Sequence, residues 1–183
     1  TLEITQKSPM LRARQLHGVV YHNNCLYAIG EQNGKAVGDC ERSLVSEDRW
    51  ELLPPLPQGC WGVSVIVADE TQTLYALGGV VDAGFFDRIQ RLSLGRLEWG
   101  VVPLKLRCGD CRIACFKQDE STVYFVLDGK LYSLDAQNEN ISLIKTVSRI
   151  NSSNGPSYYS RGCLYCSNSW GAAKRHELIL GLR

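Results

Sequence analysis

A pattern of about 48 residues recurs along this chain and constrains its fold more than any other feature. A hydrophobic residue followed by tyrosine occurs four times, at Leu26-Tyr27, Leu74-Tyr75, Val123-Tyr124 and Leu164-Tyr165. The tyrosines are 48, 49 and 41 residues apart, and Trp50 recurs 49 residues later as Trp99. Such a period indicates repeated structural units that bury their apolar surfaces against one another.

Each unit divides into short stretches that are typical of β-strands. β-Branched and aromatic residues dominate these stretches, turn residues separate them, and Asp128-Gly129 is a strong hairpin signal. No stretch has the 3.6-residue apolar period of an amphipathic helix. The sequence therefore predicts an all-β chain with strands at 18–22, 25–30, 40–46 and 50–54; 63–68, 73–79, 88–94 and 98–103; 112–117, 122–127, 130–135 and 141–146; and 157–160, 163–168 and 176–182.

The predicted strands group into one domain, 1–183, with units at 12–57, 58–106, 107–150 and 151–183, the last of them incomplete. Residues 2–7 look like the outer strand of a preceding unit. The three strands of the last unit could accept that strand and close a ring of four units. The alternative, which we favour, is that the units belong to a larger ring. Because the chain starts at Thr1 and its one Met is Met10, we expect it to be an excerpt from a longer polypeptide.

The repeat resembles the kelch repeat, which has Arg and His before the first strand, a Leu-Tyr strand ending in Gly-Gly, and a Trp strand ending near a Pro. The first unit contains Arg14, His17, Leu26-Tyr27, Gly30, Trp50 and Pro57, and the second contains Leu74-Tyr75, Gly78-Gly79, Trp99 and Pro103. Three departures are Glu31 in place of a second glycine, Leu127-Asp128 in place of a glycine pair, and Ile144 in place of Trp. The resemblance implies a β-propeller with about four visible kelch-type blades of four strands, in which Tyr and Trp fill the gaps between blades.

Charge and hydropathy point away from nucleic acid and membranes as partners. Twenty Lys and Arg balance nineteen Asp and Glu without a basic stripe, and no apolar run approaches the ~20 residues of a membrane span. Self-association is expected if the ring is incomplete, because an unclosed array leaves a sheet face uncovered.

Two CxxC pairs, Cys108/Cys111 and Cys163/Cys166, raise the question of a zinc site. Four thiolates would have to converge on one metal, but residues three apart in a strand point to opposite faces, and Cys163/Cys166 lie in a predicted strand. We therefore interpret the cysteines as small buried hydrophobes, with a redox role left open for Cys108/Cys111. Because no nucleophile, metal or nucleotide motif is present, we predict no catalytic residue, metal or cofactor, and the cysteines without a need for disulfides favour a cytoplasmic location.

The long connections offer the best candidate for a functional surface, because loops of a rigid scaffold commonly carry binding residues. Connections 31–39, 80–87 and 168–175 join second to third strands, and 8–16, 57–61 and 105–111 join successive units. The kelch resemblance implies that both sets lie on one face, where they often bind a partner. Exposed aromatic and arginine side chains are typical interface anchors. The candidates are Arg12, Arg14, Trp61, Phe85, Phe86, Arg107, Trp170 and Arg175.

The same resemblance implies a non-catalytic module that binds a protein partner, either a peptide or a folded domain. Proteins of this kind are commonly the substrate-recruiting part of a ubiquitin-ligase adaptor, next to BTB/BACK or F-box segments, neither of which lies in these residues. One alternative is a cytoskeletal, ciliary or assembly scaffold. A second is a propeller enzyme or lectin of the galactose-oxidase kind, which would show a bound metal or disulfides.

Overall fold

The computed structural model describes residues 3–32, 35–103, 105–106 and 113–147, together with the backbone of 157–160, 163–167 and 173–177. The described strands form four successive antiparallel sheets, here called the first to fourth blades, and one small hairpin. The first blade contains β1 (Gly18–His22), β2 (Cys25–Gln32), β3 (Ala36–Leu44) and β4 (Arg49–Leu53). The second contains β5 (Ser64–Ala68), β6 (Thr73–Leu77), β9 (Ile89–Ser93) and β10 (Glu98–Val101), with the hairpin β7 (Val80–Val81) and β8 (Gly84–Phe85) between β6 and β9. The third contains β11 (Ala114–Lys117), β12 (Thr122–Leu127), β13 (Lys130–Asp135) and β14 (Ile141–Thr146), and the fourth contains β15 (Ser157–Ser160), β16 (Cys163–Ser167) and β17 (Ala173–Glu177).

Tight turns between consecutive strands set the register of each blade. Asn23 and Asn24 both have positive φ, as does the pair Asp128-Gly129, and these two-residue turns join β1 to β2 and β12 to β13. Positive φ at both central residues matches the twist of the flanking strands, which is why Asn, Asp and Gly occur there. The predicted hairpin at Asp128-Gly129 is thus confirmed.

The blades stack face to face, with β1, β5, β11 and β15 as neighbouring inner strands. The core between the first and second blades, here called the first seam, includes Tyr27, Ile29, Val67 and Leu74. The core between the second and third blades, the second seam, includes Tyr75, Ile89, Phe125 and Leu134. Tyr27 and Tyr75 are almost completely buried, which confirms that these repeated tyrosines fill the gaps between blades.

The repeated tryptophans tie each blade to the connection before it. The Trp99 indole N–H donates to the Pro54 carbonyl oxygen at 2.8 Å, and the Trp50 indole N–H donates to the Ser8 carbonyl oxygen at 3.0 Å. Each side chain is half-buried, since one edge packs on its sheet while the N–H reaches the backbone of the incoming segment.

Residues 3–10 pair with no described sheet, so the assignment of residues 2–7 to the outer strand of a preceding unit stays a prediction. Two details of the predicted strands are wrong. The connection 80–87 contains the hairpin β7–β8. The predicted strand 176–182 begins too late, because β17 pairs residue for residue with β16 from Ala173 to Glu177. Residues 178–182 lie outside the described residues. In the parts of the chain described above, no helix is long and apolar enough to cross a membrane.

Candidate functional site

The two sets of connections meet on one face of the blades, as predicted for their described parts. The Ala36 N–H donates to Asp82 Oδ1 at 2.8 Å, which joins the connection 31–39 to the turn of the β7–β8 hairpin. The Leu56 N–H donates to the Gly38 carbonyl oxygen at 2.8 Å. On the far side of the hairpin, Lys105 Nζ lies 3.1 Å from Asp87 Oδ2. We call the surface formed by residues 35–39, 56–61, 80–87 and 105–106 the loop face.

The β7–β8 hairpin is held firmly at its base and exposes its tip. Trp61 and Val80 exchange two backbone hydrogen bonds of 3.1 and 2.8 Å, and the Phe86 N–H donates to the Gly79 carbonyl oxygen at 2.9 Å. Phe85 is 50% exposed, whereas Trp61 and Phe86 are half-buried against the hairpin base. Of these three predicted aromatic anchors, Phe85 therefore presents the most surface to a partner.

The two described arginine candidates differ in accessibility. Arg12 is exposed and pairs with Asp39 at the edge of the loop face. Arg14 is fully buried, where its Nη2 donates to Glu41 Oε1 and its Nη1 donates to the Asp39 carbonyl oxygen at 2.9 Å. The expected exposure of Arg14 on the loop face is therefore wrong, because its side chain is buried and its Nη1 and Nη2 atoms donate to internal groups.

Arg14 lies in a buried cluster of charges beneath the loop face. Glu41 is also fully buried and accepts the Leu11 and Arg12 backbone N–H groups at 2.8 and 3.1 Å. Glu31 approaches from the other side, with its Oε2 at 4.0 Å from Arg14 Nε. Burial lowers the pKa of neighbouring His17 below its ordinary value of 6.5, and the positive charge of Arg14 lowers it further.

The second blade replaces this charged cluster by neutral groups at the matching positions. Gln90 stands where Glu41 stands, since Ala76 pairs with Gln90 as Ala28 pairs with Glu41. The Gln90 side chain accepts the Gln58 N–H at 2.8 Å and donates to the Gln58 carbonyl oxygen at 3.0 Å. Cys60 takes the place of Arg14, and its Sγ lies 3.8 Å from Gln90 Nε2. Both arrangements hold the incoming segment against the third strand of its blade.

The buried thiols in this region are poor nucleophiles. Desolvation raises the pKa of Cys60 to about 12 and that of Cys40 to about 11, so both remain protonated at neutral pH. Cys25, Cys40 and Cys60 are buried free cysteines, in accord with the interpretation of the cysteines as small hydrophobes. They pack in the first seam.

A second polar cluster lies at the other end of the inner strands, away from the loop face. Asp69 lies 3.0 Å from His22 Nδ1 and also pairs with Lys117, so one carboxylate joins β1 and β11 across the second blade. His22 Nε2 lies 3.1 Å from Gln72 Oε1. Because every side chain here contacts another blade, we assign this cluster a structural role.

The remaining predicted site residues cannot be placed on the loop face. Arg107, Trp170, Cys108 and Cys111 lie outside the described residues. Arg175 lies in β17, paired with Tyr165, rather than in a connection, so its predicted placement in a loop is wrong. Cys163 and Cys166 lie in the strand β16, as predicted. Within the described ranges, no group of three or more His, Cys, Asp and Glu is arranged to hold a metal ion.

Glu41 and Gln90 are the residues that the sequence reasoning missed. Their signal is present in the repeat, because each follows a buried hydrophobic residue and precedes an arginine in a third strand, in Cys40-Glu41-Arg42 and Ile89-Gln90-Arg91. In an alignment of the third strands, Glu41 and Gln90 occupy one shared polar position, which faces the incoming segment.

Known proteins share both the repeat and the architecture. A kelch repeat-containing protein of Dictyostelium discoideum is 33% identical over 91 residues, which span 46% of this chain and 14% of that protein. The solved structure of YjhT superposes with a TM-score of 0.71 and 12% identity over 86% of this chain and 57% of that one. The fold is that of a kelch-type β-propeller. No protein-family profile matches the sequence. This kelch-like chain thus spans a small part of the Dictyostelium relative and just over half the length of YjhT.

Proposed function

We propose that this kelch-like propeller chain is a non-catalytic protein-interaction module and that its partner binds the loop face. The observation that carries the proposal is Phe85, an aromatic side chain held half-exposed on a hairpin whose base is fixed by backbone hydrogen bonds. A preorganised aromatic residue loses little conformational entropy on binding, and aromatic residues supply much of the energy of protein interfaces. The kelch-repeat relative supports the assignment to an interaction module.

The surroundings of Phe85 suit a partner with mixed polar groups. Lys35 is exposed nearby on the connection that contacts the hairpin turn, while Arg12 and Lys105 pair with carboxylates at the margins of the loop face. Such charges at the rim of an apolar contact contribute more to orientation and association rate than to affinity. Phe85 is therefore the expected centre of the interface and the charged residues its rim.

We further propose that the partner is a protein recruited for ubiquitination, with this chain as the substrate-binding part of a cytoplasmic ligase adaptor. The proposal extends the resemblance to adaptor propellers. It rests on an analogy of fold, whereas function is determined by the residues of a particular site. The alternative scaffold role predicts different binding partners, namely cytoskeletal or ciliary proteins instead of ubiquitin-ligase subunits.

The test compares two exposed apolar residues of similar accessibility. Phe85 is 50% exposed on the hairpin and Leu143 is 54% exposed on the outer strand β14. Proteins crosslinked in cells to the wild type, Phe85→Ala and Leu143→Ala are quantified by mass spectrometry. We expect Phe85→Ala to lose a defined set of partners that Leu143→Ala keeps, with the melting temperature unchanged because neither substitution creates a cavity.

Equal partner sets for the two variants would refute the loop-face assignment. The identity of the lost proteins addresses the narrower proposal separately. Loss of a protein whose ubiquitination falls in the Phe85→Ala cells supports the adaptor role, and loss of cytoskeletal proteins with unchanged ubiquitination supports the scaffold role instead.

A further inference from the structure

Ser8 attaches the connection before the first blade to the outer part of that blade. Its backbone N–H donates to Asp48 Oδ1 at 3.0 Å, and its carbonyl oxygen accepts the Trp50 indole N–H at 3.0 Å. Asp48 lies in the turn between β3 and β4, and Trp50 lies in β4. One carboxylate and one indole thus hold both backbone groups of Ser8, and we call this contact the outer clasp.

The second blade has a proline at the matching position. Pro54 accepts the Trp99 indole N–H at 2.8 Å as Ser8 accepts that of Trp50. A proline has no backbone N–H that a carboxylate could bind and no hydroxyl that could carry a phosphate. The carboxylate contact and the hydroxyl beside it therefore distinguish the connection of the first blade from that of the second.

The Ser8 side chain is accessible in the folded chain. Residues 3–10 form neither helix nor strand, and both Ser8 and Pro9 are exposed. This is also the one place in the sequence where a serine or threonine precedes a proline. Protein kinases bind the residue that they modify in an extended segment, and the proline-directed class requires a proline directly after it. Accessibility and sequence therefore coincide at Ser8.

We propose that Ser8 is a phosphorylation site for a proline-directed protein kinase, with ATP as the phosphate donor, and that the phosphate opens the outer clasp. Ser8 Oγ forms a bond to the γ-phosphorus of ATP, the bond from that phosphorus to the β-γ bridging oxygen breaks, and ADP leaves with the electron pair. The hydroxyl proton passes to a base of the kinase. The proposal does not depend on what binds the loop face.

The charges around the outer clasp disfavour a phosphate at this position. A phosphoserine carries about −1.5 to −2 charges at pH 7, and the Ser8 N–H is bonded to the carboxylate of Asp48. Arg49 follows Asp48 in the turn, but its guanidinium is already paired with Glu47 and Glu51. The phosphate therefore repels the carboxylate that holds the Ser8 backbone, and the hydrogen bond between them is weakened.

Opening of the outer clasp extends along the connection to the loop face. The Leu11 and Arg12 backbone N–H groups are bonded to Glu41, and the Arg12 side chain pairs with Asp39 at the edge of the loop face. Only residues 9 and 10 separate Ser8 from this second attachment. Loss of the first attachment is therefore expected to raise the rate at which the second one opens.

A first experiment measures whether the folded chain is modified at Ser8. The full chain is incubated with ATP and a mitogen-activated protein kinase, which requires proline after the target residue, and the phosphate is located by mass spectrometry. We expect a phosphate on Ser8 of the wild type and none at position 8 of Ser8→Ala or Pro9→Ala. Ser46, an exposed serine that precedes Glu47, is the internal control and is expected to stay unmodified. No phosphate on Ser8 of the wild type, or equal modification of Pro9→Ala, overturns the proposal.

A second experiment measures the opening of the outer clasp by hydrogen exchange. The backbone amides of residues 8 and 10–12 are expected to exchange at least about threefold faster in the phosphorylated chain, whereas those of β12 keep their rates. Asp48→Asn retains an oxygen that can accept the Ser8 N–H and tolerates the φ of 49° at this position, but it lacks the negative charge. We expect the phosphate to accelerate exchange clearly less in this variant. Unchanged exchange in the phosphorylated wild type, or equal acceleration in Asp48→Asn, overturns the proposal.

Discussion

Arg14 shows at the residue scale how one blade differs from the next. Its charge is balanced by two buried carboxylates, those of Glu41 and Glu31, the latter occupying the position of a kelch glycine. When the repeats are aligned on Gly30 with Gly78 and on the starts of β1 and β5, Cys60 and Gly79 of the second blade take the positions of Arg14 and Glu31. A side chain at Gly79 would press on Cys60 Sγ and the Trp61 carbonyl oxygen. The exchange of glycine for glutamate in the first blade is thus coupled to the arginine beside it.

Removing one member of the buried ion pair tests this coupling. Arg14→Met is expected to lower the free energy of unfolding by about 3–5 kcal/mol, because Glu41 would remain buried without a counter-charge. The double variant Arg14→Cys with Glu41→Gln, which reproduces the pair of the second blade, is expected to lose clearly less. Urea denaturation of the single and double variants measures both values.

The exposed pair of Arg49 and Glu47 provides the reference for that experiment. Arg49→Met is expected to cost about 0–1 kcal/mol, the usual range for surface ion pairs. A cost for Arg14→Met within this range would contradict the structural importance of the buried cluster.

His17 gives the blade a dependence on pH. Burial and neighbouring Arg14 lower its pKa in the folded state, whereas in the unfolded chain it takes up a proton near its ordinary value of 6.5. The unfolded state therefore binds more protons as the pH falls below 6.5, and stability is lost on the way down to the folded-state pKa.

We expect His17→Gln to reduce this loss. Unfolding free energies measured by urea denaturation at about pH 7.5 and about pH 5.5 give the loss for each protein, and the variant should show the smaller one. The other histidines are unchanged and contribute equally to both proteins. An identical loss in wild type and variant would show that His17 titrates alike in the folded and unfolded chains.

At the scale of elements, the close approach of a strand end to the next connection fixes the spacing of the blades. Gly30 interrupts the register of β2 and β3 with a bulge and has a φ of 69°. A Cβ built on Gly30 would overlap the carbonyl oxygen of Cys60, in the connection that enters the second blade. Glycine is thus required there for both its conformation and its lack of a side chain.

Two alanine substitutions separate these requirements. Gly62 has nearly the same φ, 64°, but a Cβ there would meet nothing within 4 Å. Gly62→Ala is expected to cost about 1–2 kcal/mol of unfolding free energy, the strain of a left-handed backbone. Gly30→Ala is expected to cost clearly more, because Cys60 must also move. Equal midpoints in urea denaturation would contradict the close contact.

The positions of most strands could be predicted from the sequence, whereas the structure of the connections could not. The strands β1, β12, β13, β14 and β15 have the predicted bounds, because alternating apolar residues and Asp-Gly or Asn-Asn turns define them locally. The hairpin β7–β8 and the shift of β17 depend on pairing with other segments, which composition does not encode. Arg14 was predicted at the surface because its burial depends on Glu41, 27 residues further along the chain.

At the scale of the whole molecule, the chain is a row of blades in which each seam belongs to two neighbours. Tyr27 and Leu74 pack in the first seam, whereas Tyr75 and Phe125 pack in the second. Repeat proteins of this type gain stability from the units and from the interfaces between neighbours. A destabilising substitution in one seam should therefore lower the local stability of the other seam less than it would if both belonged to a single core.

Phe125→Ala tests this independence of the seams. The side chain is fully buried, and its loss is expected to cost about 3–5 kcal/mol. Hydrogen exchange should accelerate most in β6 and β12, which line the second seam, and least in β2 and β3. Leu74→Ala, in the first seam, should accelerate exchange most in β2 and β6 and least in β12 and β13. Uniform acceleration throughout the described strands in both variants would indicate one cooperative core.

The base of the β7–β8 hairpin determines which residues of the loop face can change during evolution without affecting the fold. Gly79 and Phe86 close the hairpin with a backbone hydrogen bond of 2.9 Å, so the residues between them are looped out from the second blade. Substitutions or insertions at Asp82 and Ala83 leave the pairing of β6 with β9 intact. The sequence of the hairpin tip can therefore change under selection for a new ligand while the stability of the blade is kept. A foreign recognition sequence can be grafted at the same place by protein engineering.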